Sequence, residues 1–129
     1  MKKIAVITGT RAEYGLLKPL IQAIDTNDSL DLQLVVTAMH LSPEYGMTIN
    51  EIIKDGFPIV KKIESLLSSD SAVGITKSIS LAMASFAETF DEQNPDIIVI
   101  LGDRTEMLAA AIAANMANIP IAHIHGGET

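Results

Sequence analysis

Apolar residues along the chain follow two spacings, short runs and longer stretches with a helical period. The short runs number five and occupy positions 3–8, 32–39, 58–62, 96–102 and 119–125. The first and fourth are almost unbroken Val and Ile, a pattern typical of strands that are covered on both faces of a parallel sheet. The third is the weakest, because it is short and ends in two lysines. We therefore predict five strands.

Four amphipathic stretches separate these runs and predict helices. The second helix is expected to begin at Ser42-Pro43, an N-cap followed by a first-turn proline, and to end at Gly56. The third is long and stops before Pro95, and the fourth closes at Asn118. Apolar residues at helical spacing mark the faces expected to pack: Leu16, Leu17, Leu20, Ile21 and Ile24 on the first helix, Ile75, Ile79, Met83, Phe86 and Phe90 on the third, and Leu108, Ala111, Ile112 and Met116 on the fourth.

The alternation of strands and helices predicts an open α/β fold, with a mainly parallel, Rossmann-like sheet and helices on both faces. Right-handed crossovers favour the strand order 3-2-1-4-5. In that order the first and fourth strands are neighbours where the winding reverses, and ligands of such sheets bind beyond the carboxyl ends of the strands at that point. The last strand ends without a following helix, so we expect residues 1–129 to be one lobe of a longer protein.

Two similar segments, GTRAE at 9–13 and GDRTE at 102–106, directly follow the first and fourth predicted strands. The chain has only two arginines, Arg11 and Arg104, and each segment holds one of them. A cation at a helix N-terminus is mildly unfavourable, so a helix start does not explain either residue. We predict that both arginines, together with the Gly9 turn, line one crevice and bind substrate.

The acids of the same segments have a local explanation beside the functional one. Glu13 suits the first turn of a helix, where a carboxylate interacts favourably with the macrodipole. Asp103 is a good N-cap, and Glu106 three residues later completes a capping box. Yet the carboxyl edge of a sheet is also where a general acid or base would be mounted. Both interpretations stay open, with Asp103 as a candidate catalytic residue and Glu13 and Glu106 as candidate substrate ligands.

The histidines supply a second group of candidates. Alternation along the last strand places His123 and His125 on one face, with His123 expected in the core with a satisfied hydrogen bond. His125 precedes a double glycine that would let a ligand approach the backbone, so His125 and Glu128 are candidate catalytic residues. His40 follows the second strand and is a candidate substrate ligand, with a plain loop histidine near a helix cap as the alternative.

Composition narrows the class of protein. The net charge of −7 argues against nucleic acid or an anionic membrane as a partner, since both reward basic faces. There is no cysteine for disulfide or thiolate chemistry. No apolar run approaches the roughly 20 residues of a membrane span, and the N-terminus does not resemble a secretory signal. We expect a cytoplasmic domain.

Several common site motifs are missing from the sequence. The turn TGTRAEYG at 8–15 has neither the glycine spacing of dinucleotide binders nor that of a P-loop. There is no nucleophile elbow of the G-x-S-x-G type. Three histidines without cysteine or an H-E-x-x-H pattern give at best a weak metal signal. We therefore predict no metal and no cofactor.

Four spaced segments carry a resemblance that runs the length of the chain: ITGTRAEYGLLKPLI at 7–21, TAMHLSPEYG at 37–46, ILGDRTEMLAAAIAA at 100–114 and IPIAHIHGGET at 119–129. Together they resemble the N-terminal half of hydrolysing UDP-N-acetylglucosamine 2-epimerases, the enzymes that supply N-acetylmannosamine for sialic acid, and their relatives for legionaminic-acid-type sugars. The resemblance implies one Rossmann-like lobe of a glycosyltransferase-B-like (GT-B-like) architecture, with the nucleotide-binding second lobe absent from this chain. It also implies a homo-oligomer at full length.

The resemblance further implies a reaction. UDP leaves across C1 and C2 of the sugar to give 2-acetamidoglucal, and water then adds to yield N-acetylmannosamine, with carboxylates as acid and base and without NAD or metal. By motif match Asp103 corresponds to a catalytic acid/base of the family, Arg11 and Glu13 to its active-site turn, and His40 to the histidine after the second strand. The fragment alone is expected to be inactive.

This sequence departs from the family pattern at one position. Many relatives carry a glutamate where His125 stands between Ile124 and Gly126. Either His125 transfers the proton, at a pKa near neutrality, or Glu128 replaces the missing carboxylate. The base of the nucleotide, uridine or guanosine, also stays open. The alternatives to an epimerase are a non-catalytic α/β module that binds sugar nucleotides and a lobe of a glycosyltransferase of the same architecture.

Overall fold

The described residues form alternating strands and helices. A computed structural model of the chain describes residues 2–9, 11–38, 43–64, 71–102 and 105–124. Its strands are β1 (Lys2–Thr8), β2 (Leu30–Ala38), β3 (Ile59–Glu64), β4 (Ile97–Leu101) and β5 (Ile121–Ile124). Its helices are α1 (Arg11–Thr26), α2 (Pro43–Asp55), α3 (Ala72–Gln93) and α4 (Thr105–Met116). The five predicted strands and four predicted helices are confirmed within a few residues at their ends.

The strands form one parallel sheet in the order β3-β2-β1-β4-β5. β1 pairs with β2 on one side, from Lys2↔Leu30 to Thr8↔Val36. On its other side it pairs with β4, from Ile4↔Ile97 to Val6↔Val99. The predicted fold class, strand order and switch point between the first and fourth strands are therefore confirmed.

The sheet is covered on both faces because its central strands are apolar at consecutive positions. One core lies against α1 and α2 and includes Val6, Tyr14, Leu17, Ile21, Leu34 and Ile52. The other lies against α3 and α4 and includes Ile7, Val35, Phe86, Phe90, Ile98 and Met107. The rings of Phe86 and Phe90 stack with centroids 5.8 Å apart. No helix in the described part of the chain is long and apolar enough to cross a bilayer.

The helix ends follow the sequence signals. Pro43 is the first residue of α2, and Gly56 after its last residue has a φ of +84°, a left-handed conformation that glycine adopts readily. Asn94 caps α3 in the left-handed region and is followed by Pro95. Asn118, two residues beyond α4, is also left-handed, with a φ of +59°. These predicted boundaries are confirmed, whereas the predicted N-cap Ser42 lies outside the described residues.

The predicted packing faces are only partly correct. On α1 the residues from Leu17 onward pack toward the sheet, but Leu16 is 71% exposed. On α4 the prediction is wrong for three of its four residues: Leu108, Ile112 and Met116 are 51%, 36% and 76% exposed, whereas Ala111 packs against the core as predicted. The buried residues of this helix are Met107, Ala109, Ala110, Ala113 and Ala114. Because positions 107–114 are apolar without interruption, periodicity could not identify the face, and α4 approaches α3 and the sheet through alanines.

Candidate functional site

The carboxyl edge of the sheet brings the two charged segments to neighbouring positions. β1 and β4 are parallel and adjacent, so the turns that follow them leave the sheet at the same edge. α1 begins at Arg11, three residues after β1, and α4 begins at Thr105, four residues after β4. Both helix N-termini therefore point to this edge, where backbone N–H groups and the helix macrodipole favour anions. The predicted adjacency of the two strand ends is confirmed, whereas Thr10, Asp103 and Arg104 within the two segments lie outside the described residues.

Glu13 closes the turn between β1 and α1. Its carboxylate accepts a hydrogen bond from the Gly9 N–H at 3.0 Å, and its side chain is only 8% exposed. A buried carboxylate in the first turn of a helix is stabilised by the backbone donor and by the macrodipole. Glu13 thus has the local role that the sequence allowed, and its role as a substrate ligand stays a prediction, as does that of Gly9.

Gly102 lies in the turn between β4 and α4 and is bonded to β5 through both of its backbone polar groups. Its N–H donates to the Ile124 carbonyl at 2.9 Å, and its carbonyl accepts from Nε2 of His123. The φ of Gly102 is +78°, which favours glycine. The predicted hydrogen bond of His123 is confirmed, but its predicted place in the core is wrong because the ring is exposed. The physical reason is that β5 pairs only with β4 among the described strands.

Most of the predicted site residues cannot be compared with the structure. His40, Asp103, Arg104, His125 and Glu128 lie outside the described residues. Arg11 is the first residue of α1 and Glu106 belongs to the first turn of α4, but the described structure does not include their side chains. The catalytic and substrate-binding roles of these residues therefore stay predictions.

A polar contact that the sequence analysis missed joins α1 to α2. The hydroxyl of Tyr14 donates to Oδ2 of Asp55 at 2.5 Å, and Nζ of Lys18 lies 3.1 Å from the same oxygen. Burial, followed by the hydrogen bond and charge of Asp55, raises the pKa of Tyr14 above its ordinary value. The hydrogen bond from Tyr14, followed by that from Lys18, lowers the pKa of Asp55. Tyr14 and Lys18 are one helical turn apart, but no sequence signal connects them to Asp55.

A small apolar cleft of about 170 Å³ lies beside the carboxyl end of β4, between α4 and β5. Its walls are Ile100, Gly102, Met107, Leu108, Ala111 and His123. Such a surface suits a methyl or acetyl group better than a phosphate. Within the described ranges, no three His, Asp or Glu side chains are grouped to hold a metal ion.

Comparisons with known proteins identify the family to which this sequence is similar. Residues 22–129 match the family described as UDP-N-acetylglucosamine 2-epimerase. The chain is 45% identical over 127 residues to a Campylobacter jejuni protein named GDP/UDP-N,N'-diacetylbacillosamine 2-epimerase (hydrolyzing), covering 98% of this chain and 33% of that protein. It is 44% identical over 128 residues to a Legionella pneumophila UDP-N,N'-diacetylbacillosamine 2-epimerase (hydrolyzing), covering 99% of this chain and 34% of that protein.

A solved structure gives the same result for the fold. The UDP-GlcNAc 2-epimerase of Methanocaldococcus jannaschii, in complex with UDP-GlcNAc and UDP, superposes with a TM-score of 0.81 at 23% identity. The match covers 98% of this chain and 33% of that one. Such epimerases share a GT-B-like fold. The chain spans about a third of the length of the curated relatives that it matches.

Proposed function

The chain belongs to the UDP-N-acetylglucosamine 2-epimerase family, and we propose that it is part of a hydrolysing epimerase that converts UDP-N-acetylglucosamine to N-acetylmannosamine and UDP. The observation that carries the proposal is the pairing of β1 with β4, which brings the turns after both strands to one edge of the sheet. Each turn continues into a motif with a glycine, an arginine and a glutamate. An anionic sugar nucleotide suits an edge with two helix N-termini, and the sequence supplies one arginine in each of the two segments.

The proposed reaction has two stages that balance without an external oxidant or reductant. A base removes the proton from C2 while the C1–O bond breaks and its electron pair leaves with UDP, which gives 2-acetamidoglucal. Water then adds across the double bond, with the hydroxyl at C1 and the proton on the opposite face of C2. The product is free N-acetylmannosamine. Two proton-transfer groups and a set of donors for the leaving diphosphate are needed.

We assign the first proton-transfer role to Asp103, which follows β4 in the sequence. His125 or Glu128, which follow β5, would supply the second role. Gly9, Arg11, Glu13, His40, Arg104 and Glu106 would bind substrate. The contact between Glu13 and the Gly9 N–H supports the assignment of these two residues, because it ties the end of β1 to the first turn of α1. No metal or organic cofactor enters the proposed chemistry.

The remaining parts of the proposal concern the whole protein. A second lobe would supply most of the uridine and diphosphate contacts and would exclude water from the sugar on closure. The relatives, three times as long as this chain, support such a lobe. We expect residues 1–129 alone to be inactive and the full-length enzyme to be a cytoplasmic homo-oligomer.

A second substrate is favoured by the relatives. Those named for UDP-N,N'-diacetylbacillosamine are 45% and 44% identical, whereas a Neisseria meningitidis UDP-N-acetylglucosamine 2-epimerase is 34% identical. Diacetylbacillosamine differs from N-acetylglucosamine by an acetamido group at C4 and a methyl group at C6. The 2-acetamido group, on which the elimination depends, is common to both.

The test uses the intact protein that contains this chain. Release of the nucleoside diphosphate is measured with each of the two UDP sugars and, separately, with the corresponding GDP sugars. The sugar product is identified by NMR in D₂O. The epimerase proposal expects a free 2-epimerised sugar with deuterium at C2. A glycoside product would indicate a transferase, and binding without turnover would indicate a non-catalytic module.

The role of Asp103 has a matched control in Asp96, the residue just before β4. Asp103→Asn is expected to slow UDP release by about 10²–10⁴-fold, the usual contribution of a general acid or base. Asp96→Asn changes an aspartate at the opposite end of β4, where it accepts from the Lys3 N–H at 2.7 Å, and it should leave turnover within twofold. An Asp103→Asn enzyme with the wild-type rate would remove Asp103 from the mechanism.

A further inference from the structure

The turn between β4 and α4 is attached to β5 by a pair of hydrogen bonds on a single residue. The Gly102 N–H donates to the carbonyl of Ile124 at 2.9 Å, as in a continued parallel ladder. The Gly102 carbonyl accepts from the imidazole of His123. A side chain of the neighbouring strand thus binds the residue immediately before Asp103 in the sequence.

The chemistry of the acceptor determines the state of the ring. A backbone carbonyl has no hydrogen to donate, so Nε2 of His123 must carry one. The ring is therefore either the Nε2–H tautomer or the imidazolium, and both donate to Gly102 in the same way. The contact does not depend on which of these two forms is present.

Because the peptide bond is planar, the direction of the Gly102 carbonyl also sets the plane of the peptide that joins Gly102 to Asp103. Gly102 has a φ of +78° and no Cβ, so its own sterics restrict that plane less than in other residues. On the other side of the turn, α4 begins at Thr105 and buries Met107. Gly102 and Thr105, which flank Asp103 and Arg104 in the sequence, are thus each fixed by contacts with the fold.

Hydrophobic packing does not explain the presence of a histidine at position 123. The ring is exposed, and an exposed side chain contributes little to a hydrophobic core. On the same face of β5, two residues earlier, Ile121 is 37% exposed, and its side chain has no hydrogen-bond donor. The distinguishing property of His123 is its donor at the Gly102 carbonyl.

We propose that His123 is a positioning residue of the epimerase reaction: its Nε2–H holds the carbonyl of Gly102, the residue that directly precedes Asp103 in the sequence, and so restricts the peptide that joins Asp103 to the sheet. This inference rests on the proposed function for the role of Asp103. A displacement of about 1 Å in a reacting group can cost about 10²-fold in rate. Loss of the hold should therefore lower kcat, while KM, which depends on the rest of the substrate, changes little.

Two amide variants of the intact protein separate positioning from packing. The side-chain nitrogen of His123→Gln reaches about as far as Nε2 and can donate to Gly102, whereas that of His123→Asn lies near the position of Nδ1 and cannot reach. We expect His123→Asn to lower kcat 10- to 100-fold with KM within threefold, by the same positioning argument, and His123→Gln to return kcat to within about threefold of wild type. Ile121→Ala is the matched control and should leave both constants within twofold.

Measurements that need no turnover test the hydrogen bond from His123 to Gly102 separately. A long-range ¹⁵N–¹H correlation spectrum should show a hydrogen on Nε2 of His123. The Gly102 amide should exchange slowly in the wild type and in His123→Gln, and at least tenfold faster in His123→Asn. These results would support the hydrogen bond from His123 to Gly102 even if the intact protein released no UDP. In that case the proposed function would be the part that failed.

Three results would overturn the inference. One is equal kcat in His123→Asn, His123→Gln and the wild type. Another is an equal loss in both variants together with a lowered melting temperature, which would indicate a purely structural role. The third is a His123 ring whose hydrogen resides on Nδ1 alone.

Discussion

Replacing Tyr14 by Phe removes one hydroxyl from the contact between α1 and α2 and leaves the ring in place. The ring is 1% exposed in the core formed with α1 and α2, so the substitution creates no cavity. What is lost is a hydrogen bond of 2.5 Å to Asp55, whose side chain is 19% exposed and is also paired with Lys18. The change therefore isolates a single hydrogen bond to a charged acceptor.

The magnitude follows from the kind of hydrogen bond. Bonds to charged groups contribute about 1.5–3 kcal/mol to stability. Asp55 retains Lys18 and some access to water after the substitution, so the lower end applies, and we expect Tyr14→Phe to lower the free energy of unfolding by about 1.5 kcal/mol at pH 7. That is roughly a tenfold change in the unfolding equilibrium constant.

The same contact makes the loss depend on pH. Tyr14 lowers the pKa of Asp55, so the stabilisation is present above the unfolded value of 3.8 and is lost as the pH falls through the lower folded pKa. Burial and Asp55 raise the pKa of Tyr14 above 10.0, so stability is also lost as the pH rises beyond that unfolded value. Tyr14→Phe lacks the contribution of the hydroxyl to both effects, although Lys18 still lowers the pKa of Asp55, so its stability should approach that of the wild type at both extremes.

Urea unfolding of the 129-residue chain, followed by far-UV circular dichroism at pH 3, 7 and 10.5, measures these differences. The slope of the unfolding free energy against urea should be the same in both proteins. Ser80→Ala, which removes an exposed hydroxyl bonded to Thr76 within α3, is the control and should change stability by less than about 0.5 kcal/mol. A Tyr14→Phe protein as stable as wild type at pH 7, or a difference that does not vary between pH 3 and 7, would refute the reasoning.

Other substitutions test the packing and the turn, each by the same unfolding measurement at pH 7. Phe86→Ala removes a fully buried ring and should cost about 3–5 kcal/mol, so a loss below 1 kcal/mol would contradict the placement of α3. Ala110→Leu overpacks the buried face of α4 and should cost about 1–3 kcal/mol. Leu108→Ala lies on the exposed face of α4 and should change stability by less than about 0.5 kcal/mol. A larger loss from Leu108→Ala than from Ala110→Leu would indicate that the face predicted from sequence is the buried one. Gly102→Ala places a Cβ on a residue with a φ of +78° and should cost about 1–2 kcal/mol, and an unchanged stability would argue against that conformation.

Two of the observed hydrogen bonds join residues that are far apart in the sequence, so the sequence did not predict these pairs. The bond from Tyr14 to Asp55 spans 41 positions, and the bond from His123 to Gly102 spans 21. Neither pair has a spacing that predicts contact, because each contact arises only when neighbouring elements pack. The expectation that His123 is buried was wrong for a related reason, since burial depends on what covers a strand and not on its own alternation.

The sequence by itself determined the strands, the helices and their order in the sheet. Unbroken Val and Ile runs, proline and glycine at the helix ends, and the right-handedness of parallel crossovers are local or general properties that need no knowledge of distant contacts. The matching GTRAE and GDRTE segments identified candidate chemistry from residue type alone. Only the tertiary structure decided which face of α4 is buried and which side chains bind the turns at the carboxyl edge. The physical reason is that a helix with apolar residues all round has no preferred face until a neighbouring element packs against it. Likewise, a side-chain donor finds its acceptor only when packing brings the two residues together.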